Sequence, residues 1–139
     1  MSRRQLRHLG RSDGWVTRAV RAERLLPVFR GVYAVGHGRI GTRGRMMAAV
    51  LACGSGTVVS HQSAAALLGL ADRAPYCVDV IAAGGRGRKQ DGIRVHLVKP
   101  PAPEEIGRVA GIPCTSRART LVDQAAVVGD RALRAGFER

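Results

Sequence analysis

The sequence predicts an α+β chain in which a small unit of helices and a hairpin, residues 1–40, precedes a small α/β domain, residues 41–139. Three observations predict it. Two short helical segments with serine caps open the chain. A run of β-formers broken by Arg30-Gly31 follows at once. From Thr42 onward, apolar helical stretches alternate with short strands rich in valine and isoleucine. With 139 residues the chain can bury roughly two thirds of its unfolded surface. Its 45% hydrophobic content excludes disorder as a whole-chain description, and with only five aromatics the core must be aliphatic.

Ser2 is a good N-cap for Arg3 to Leu9, and Gly10 ends that helix. Ser12 caps the next, Asp13 to Ala22, with Asp13 at the positive end of the helix dipole. At 100° per residue, Val16, Ala19 and Val20 share one face while Gly14, Thr17, Arg18 and Arg21 gather on the other. Two short helices joined by a glycine-containing turn are equally an ordinary helical hairpin with a solvated arginine face or a helix-turn-helix. Leu25 to Val35 decides between them. Its β-formers Val28, Phe29, Val32 and Tyr33, interrupted by Arg30-Gly31, predict a β-hairpin, and a hairpin directly after a helix-turn-helix is a wing.

Gly36 to Gly41 connects the two parts. Thr42 is expected to cap a helix over Arg43 to Cys53, ended by Gly54-Ser55-Gly56. A short strand at Thr57 to Val59 leads to a helix through Leu68, capped by Ser60 or His61. Tyr76 to Ala82 and Ile93 to Val98 read as strands joined by the loop Ala83 to Gly92. Gly111 to Cys114 is a further strand, Thr115 or Ser116 caps a helix from Arg117 to Val128, and Asp130 to Arg139 reads as a last helix.

The formal net charge of +13, with arginine supplying 21 of the 23 cations, points to a polyanionic partner contacted through planar forks. No apolar run approaches the roughly 18 residues a membrane helix needs, so no membrane span is expected. Cys53, Cys77 and Cys114 lack the spacing of a zinc site and read as ordinary thiols in a reducing cytoplasm, with no metal and no cofactor expected.

Enzymatic readings do poorly. The ten acids are scattered, and Glu104-Glu105, the only adjacent pair, reads as the start of a solvated turn. Ser60, His61 and Ser63 suggest a nucleophile and base, but capping at a strand-to-helix junction explains them better, since no orienting carboxylate is near in sequence. No catalytic residue is therefore assigned. Arg119 and Asp123, four apart on one helix, read as a surface ion pair. Gly85-Arg86-Gly87-Arg88-Lys89 is similar to the Arg-Gly-Arg core of minor-groove-binding peptides. Its plainer reading is a solvated basic loop, and in either case it adds phosphate attraction.

Four stretches carry a family resemblance: residues 2–39 with Arg30-Gly31-Val32-Tyr33; residues 47–70 with Ser60-His61-x-Ser63-Ala64-Ala65; Gly92 to Val98; and Gly111-Ile112-Pro113-Cys114-Thr115 leading to Ala118-Arg119-Thr120-Leu121-x-Asp123. Together they resemble the AbiEi antitoxins of abortive-infection, type IV toxin-antitoxin systems. They also resemble the N-terminal half of actinobacterial proteins that continue into a Vsr-like endonuclease domain. The resemblance implies a winged helix that binds operator double-stranded DNA and represses its own operon. It also implies an α/β domain that opposes a nucleotidyltransferase toxin. Arg117 stands where the family pattern has proline, and Cys114 where it has valine.

The DNA-facing residues expected on this reading are Arg11, Ser12, Gly14, Thr17, Arg18, Arg21, Arg30, Arg86 and Arg88. The competing expectations are a non-enzymatic protein-interaction module with a vestigial DNA-binding part, and a remnant of a larger nuclease-domain protein. A winged helix ordinarily has one more helix ahead of the two read here. Its absence is expected to leave Leu6, Leu9, Val16 and Val20 thinly covered by the wing, giving either loose order in the monomer or a homodimer that buries the stripe.

Overall fold

A computed structural model describes residues 1–83, 89–127, 134 and 136–138. Among the described residues, five α-helices and two sheets make a mixed α+β fold. Helix α1 (Arg3–His8) is held by a complete capping box: Gln5 N donates to Ser2 Oγ at 3.1 Å, and Ser2 N donates to Gln5 Oε1 at 2.8 Å. Helix α2 (Asp13–Arg21) follows a Ser12 cap whose Oγ accepts from Trp15 N at 3.1 Å. Strands β1 (Leu25–Phe29) and β2 (Val32–Val35) form the expected antiparallel hairpin, turning at Arg30-Gly31 with Gly31 at φ +74°, where a side chain would be strained. Pro27 is tolerated because the register shifts between Pro27 and Phe29. Met1 and Ser2 run alongside β2 and bridge it without forming a strand. Tyr33 N donates to Met1 O at 2.7 Å, and Ser2 bridges Val32, which places β2 between β1 and the chain's first residues.

The second sheet has the order β5-β4-β3-β7-β6, from Ile93–Val95, Val78–Ile81, Val58–Val59, Ile112–Thr115 and Ile106–Val109. The central β3 runs antiparallel to β4 and parallel to β7. Helix α3 (Thr42–Cys53) and helix α4 (His61–Leu67) pack on it, and helix α5 (Arg117–Ala125) packs against α4. Alternation along β4 sorts the layers: Val78 and Val80 join the core with Met46 and Ala49 of α3, while Asp79 between them meets Ser63 of α4.

The expectation that Leu6 and Val16 lie thinly covered is wrong. Leu6 is 3% and Val16 1% exposed, in a cluster with Ala19, Leu25 and Tyr33, and Val20 is half-buried against it. The hairpin supplies the cover because it works on two sides. Leu25 and Tyr33 enter this cluster, while Phe29 and Val32 enter the main core with α3 and the large sheet. Leu9 alone of the four is exposed, at 63%.

Smaller corrections concern caps and ends. Gly41, not Thr42, is the N-cap of α3 and offers no side chain. Helix α5 ends at Ala125 rather than Val128, and β6 was not expected at all. The helix expected over Asp130 to Arg139 lies largely outside the described residues.

Candidate nucleic-acid interface

Residues 1–40 hold nine arginines against two acids, Asp13 and Glu23. On α2 the 3.6-residue period turns Val16 and Ala19 inward and leaves Gly14, Thr17, Arg18 and Arg21 exposed along one arc. Asp13 stands at the edge of that arc, but its charge is met by Arg7, bonded at 2.8 and 3.1 Å, and by Arg3 at 3.8 Å. The Arg7 hydrogen bond holds the Asp13 carboxyl below its ordinary pKa, so the acid stays ionised and neutralised. Thr17 Oγ1 donates to Asp13 O at 3.1 Å. Arg11 lays its guanidinium over the Trp15 ring, 4.7 Å from its centre, and Arg24 approaches the same ring at 6.0 Å.

A groove of about 660 Å³ runs between α2 and the hairpin. Its floor is Val16, Val20, Pro27 and Phe29, and Thr17, Arg21, Arg30 and Arg3 stand around it. Of the expected residues, the fold thus brings Thr17, Arg21 and Arg30 into one groove, while Arg18 projects beside it from the next position of the arc. Arg11 and Ser12 sit at the start of α2. Gly14 lies in its first turn, where an added Cβ would stand 3.4 Å from Arg18 Nη1. Arg86 and Arg88 lie outside the described residues.

Sequence reasoning missed three participants. Arg3 donates to Tyr33 Oη at 2.8 Å, which fixes it at the groove. Gln90 Oε1 accepts from Arg30 N at 3.0 Å, so the hairpin turn is tied to the loop ahead of β5, and Asp91 lines the same groove. A doubled arginine at positions 3 and 4 was visible as charge, but nothing local to Gln90 signals a partner sixty residues away.

The second constellation is buried. Ser60 stands at the N-cap position of α4, yet its Oγ lies 2.8 Å from His61 Nδ1 and makes no cap. The helix is capped instead from the neighbouring strand: Asp79 Oδ2 accepts from Ser63 N at 3.3 Å, and Ser63 Oγ accepts from Asp79 N at 2.8 Å. Asp79 Oδ1 is 2.8 Å from His96 Nε2 and 3.6 Å from Arg94 Nη1. The His61 and His96 rings stack, 3.6 Å apart and 11° from parallel, with His61 at φ +50°. Burial, and then the stacked His96, push the His61 imidazole below its ordinary pKa. Ser60 and His61 are buried, at 0% and 3% exposure, and the carboxylate belongs to His96 rather than His61. The geometry is that of a structural bridge between α4 and the sheet, not of an activated hydroxyl.

Arg119 and Asp123 are also not the surface pair expected. Their side chains are 11% and 8% exposed. Arg119 Nε bonds Asp123 Oδ1 at 2.9 Å, Nη1 bonds Glu105 Oε2 at 2.9 Å, and Nη2 bonds Lys99 O at 2.7 Å. Glu105, expected in a solvated turn, is thereby anchored. The Ala102 amide and Arg119 hold its carboxyl below the usual range.

The three thiols are free, with burial raising Cys53 and Cys114 above their ordinary pKa. Among the described residues no three histidine, cysteine or acidic side chains converge on a common metal position, and no helix is long and apolar enough to cross a membrane. No known family model matches the chain, and neither does any curated protein.

Proposed function

We propose that this chain is a DNA-binding transcriptional regulator of the kind its motifs resemble, an AbiEi-type antitoxin that represses its own operon and opposes a nucleotidyltransferase toxin. On this reading α1, α2 and the hairpin act as a winged helix-turn-helix. Helix α2 enters the major groove with Thr17, Arg18 and Arg21, and the turn at Arg30 grips the adjacent backbone. The observation that carries the reading is the convergence of Arg3, Thr17, Arg21 and Arg30 on one groove beside an exposed, acid-neutralised helix face. The bridge from Ser2 to Val32 supports it, because it ties the start of α1 to the hairpin.

The antitoxin role rests on the resemblance of Ser60-His61-x-Ser63 and Arg119-Thr120-Leu121-x-Asp123, residues that serve here as the internal frame of the second unit. A mobility-shift assay on the DNA upstream of the chain's own gene, run against scrambled DNA, tests the regulator. Tighter binding to the upstream sequence at physiological salt is expected, and equal affinity for both at every salt concentration would remove the operator claim. Co-expression with a nucleotidyltransferase encoded next to it tests the antitoxin role, with rescue of growth as the expected outcome.

A non-enzymatic protein-interaction module is the second reading. It draws on Tyr76, Leu97 and Val122, which are 76%, 80% and 68% exposed. DNA binding too weak to survive physiological salt would favour it.

A further inference from the structure

A second groove lies away from the α2 face, between the start of α1, the last turns of α3 and strands β3, β6 and β7. Its volume is about 510 Å³, within the range of small-molecule sites. The floor is apolar, built from Met47, Leu51, Val58 and Ile106. Among the described residues that line it, the charges are two arginines, Arg4 and Arg108, with no aspartate or glutamate.

The rest of the wall is short of partners. Arg4 makes no hydrogen bond or ion pair among the described residues, and Arg108 gives one bond, to Gly111 O at 3.3 Å. Among the described residues the amides of Ser55 and Gly56, in the glycine-bounded turn at the mouth, donate to nothing, and the buried Thr57 Oγ1 has no partner. A floor of that kind takes an apolar body, and two unopposed guanidinium groups beside free amides take one anionic head.

The geometry points to a binding site for a small amphipathic anion, a carboxylate carried on an aliphatic or aromatic body, whose occupancy alters the affinity of the α2 face for DNA. The coupling half rests on the DNA reading above, while the binding half does not. The physical route is short. Ser2, Arg4 and Gln5 line the groove, and Ser2 and Gln5 are the two halves of the α1 capping box. The same segment is fastened to the hairpin through Arg3 N to Gly31 O and Tyr33 N to Met1 O, both 2.7 Å. A ligand that pulls on Arg4 therefore pulls on the element that sets α1, and through Leu6 the packing of α2.

Titration of the full chain, labelled with nitrogen-15, with decanoate and with naphthoate tests the site without DNA. At least one of the two should shift the amides of Arg4, Gln5, Leu51, Ser55 and Arg108, with Kd below about 1 mM. Decanol should bind at least tenfold more weakly, and inorganic phosphate should shift none of them. Arg4→Gln and Arg108→Gln, both at exposed positions, should each weaken the carboxylate severalfold while leaving core amides unmoved. Absence of shifts with both carboxylates, or shifts that decanol reproduces equally, would overturn the site.

A mobility-shift titration with and without saturating carboxylate then reads the coupling, expected at about fivefold or more in DNA affinity. Carboxylate binding with DNA affinity unchanged would overturn the effector role. Failure of the ligand-free protein to bind any DNA would instead count against the regulator reading, and it is read in the same experiment from the lanes lacking carboxylate.

Discussion

Arg119→Ala separates a surface pair from a buried node. A surface pair at i, i+4 is worth about 0.3–0.5 kcal/mol. In the structure, however, Arg119 is 11% exposed and serves Asp123, Glu105 and the Lys99 carbonyl at 2.7–2.9 Å. The cost is set by what truncation leaves behind. Glu105, 40% exposed at its side chain, regains water and contributes little. Asp123 does not, because its side chain is 8% exposed and its Oδ2 already lacks a partner, so losing Arg119 leaves a carboxylate with neither oxygen bonded. Breaking a buried pair from one side costs about 3–5 kcal/mol, and the half-open side of the node argues for the lower end, about 3. Urea unfolding should show this as a midpoint about 1–2 M lower at unchanged slope. Adding Asp123→Asn to Arg119→Ala should recover part of the loss, since the stranded charge is then gone. A loss below about 0.5 kcal/mol, or no recovery in the double variant, would refute the buried-node account.

Other expectations follow from the same geometry. Arg18→Ala, Arg21→Ala and Arg30→Ala should each lower the slope of log affinity against log salt by about one unit, and three unchanged slopes would discard the α2 face as the DNA surface. Because His61 in the folded chain titrates below its ordinary value of 6.5, the unfolded chain binds its proton first. Stability should therefore fall as pH drops from 6.5 toward 4.5, before the depressed Glu105 adds its own loss at lower pH, and His61→Asn should flatten that window. Leu6→Ala should cost about 3 kcal/mol, and α2 amides should exchange as slowly as those of α3; fast exchange across Leu6 to Val20 would restore the loosely ordered N-terminus. Gly14→Ala should stabilise α2 by up to about 0.8 kcal/mol in thermal or urea unfolding, since the new methyl meets only the flexible end of Arg18 at 3.4 Å.

Much of the fold was legible because it is locally encoded. Ser2, Ser12 and Ser116 each cap the helix that follows, and the β-formers around Arg30-Gly31 pair across that turn. What escaped was non-local or used an unusual residue. Strand β6 hid because its turn to β7 is Ala110-Gly111, at φ +50° and +78°, a left-handed pair normally signalled by asparagine or aspartate before glycine. The cover over Leu6 and Val16 escaped because a period-2 reading of the hairpin counts one apolar face. The register shift after Pro27 lets β1 and β2 feed two clusters.

The buried polar network depends on partners far apart in sequence. Carboxylates near in sequence say nothing about Ser60-His61-x-Ser63, and the i, i+4 spacing of Arg119 and Asp123 says nothing about their burial. Yet Asp79 sits between Val78 and Val80 in a strand that reads as core on both sides, and a buried polar side chain there needs hydrogen-bond donors. Its position alone demanded partners, and among Ser63, His96 and Arg94 the fold provides them. The parallel pairing of Val59 with Cys114 sets β3 beside β7, so the helices that follow each strand, α4 and α5, lie side by side. Two motifs more than fifty residues apart thus come to lie on adjacent helices. Charge inside an apolar strand is the signal for the Asp79 network, and spacing along the chain could not give it.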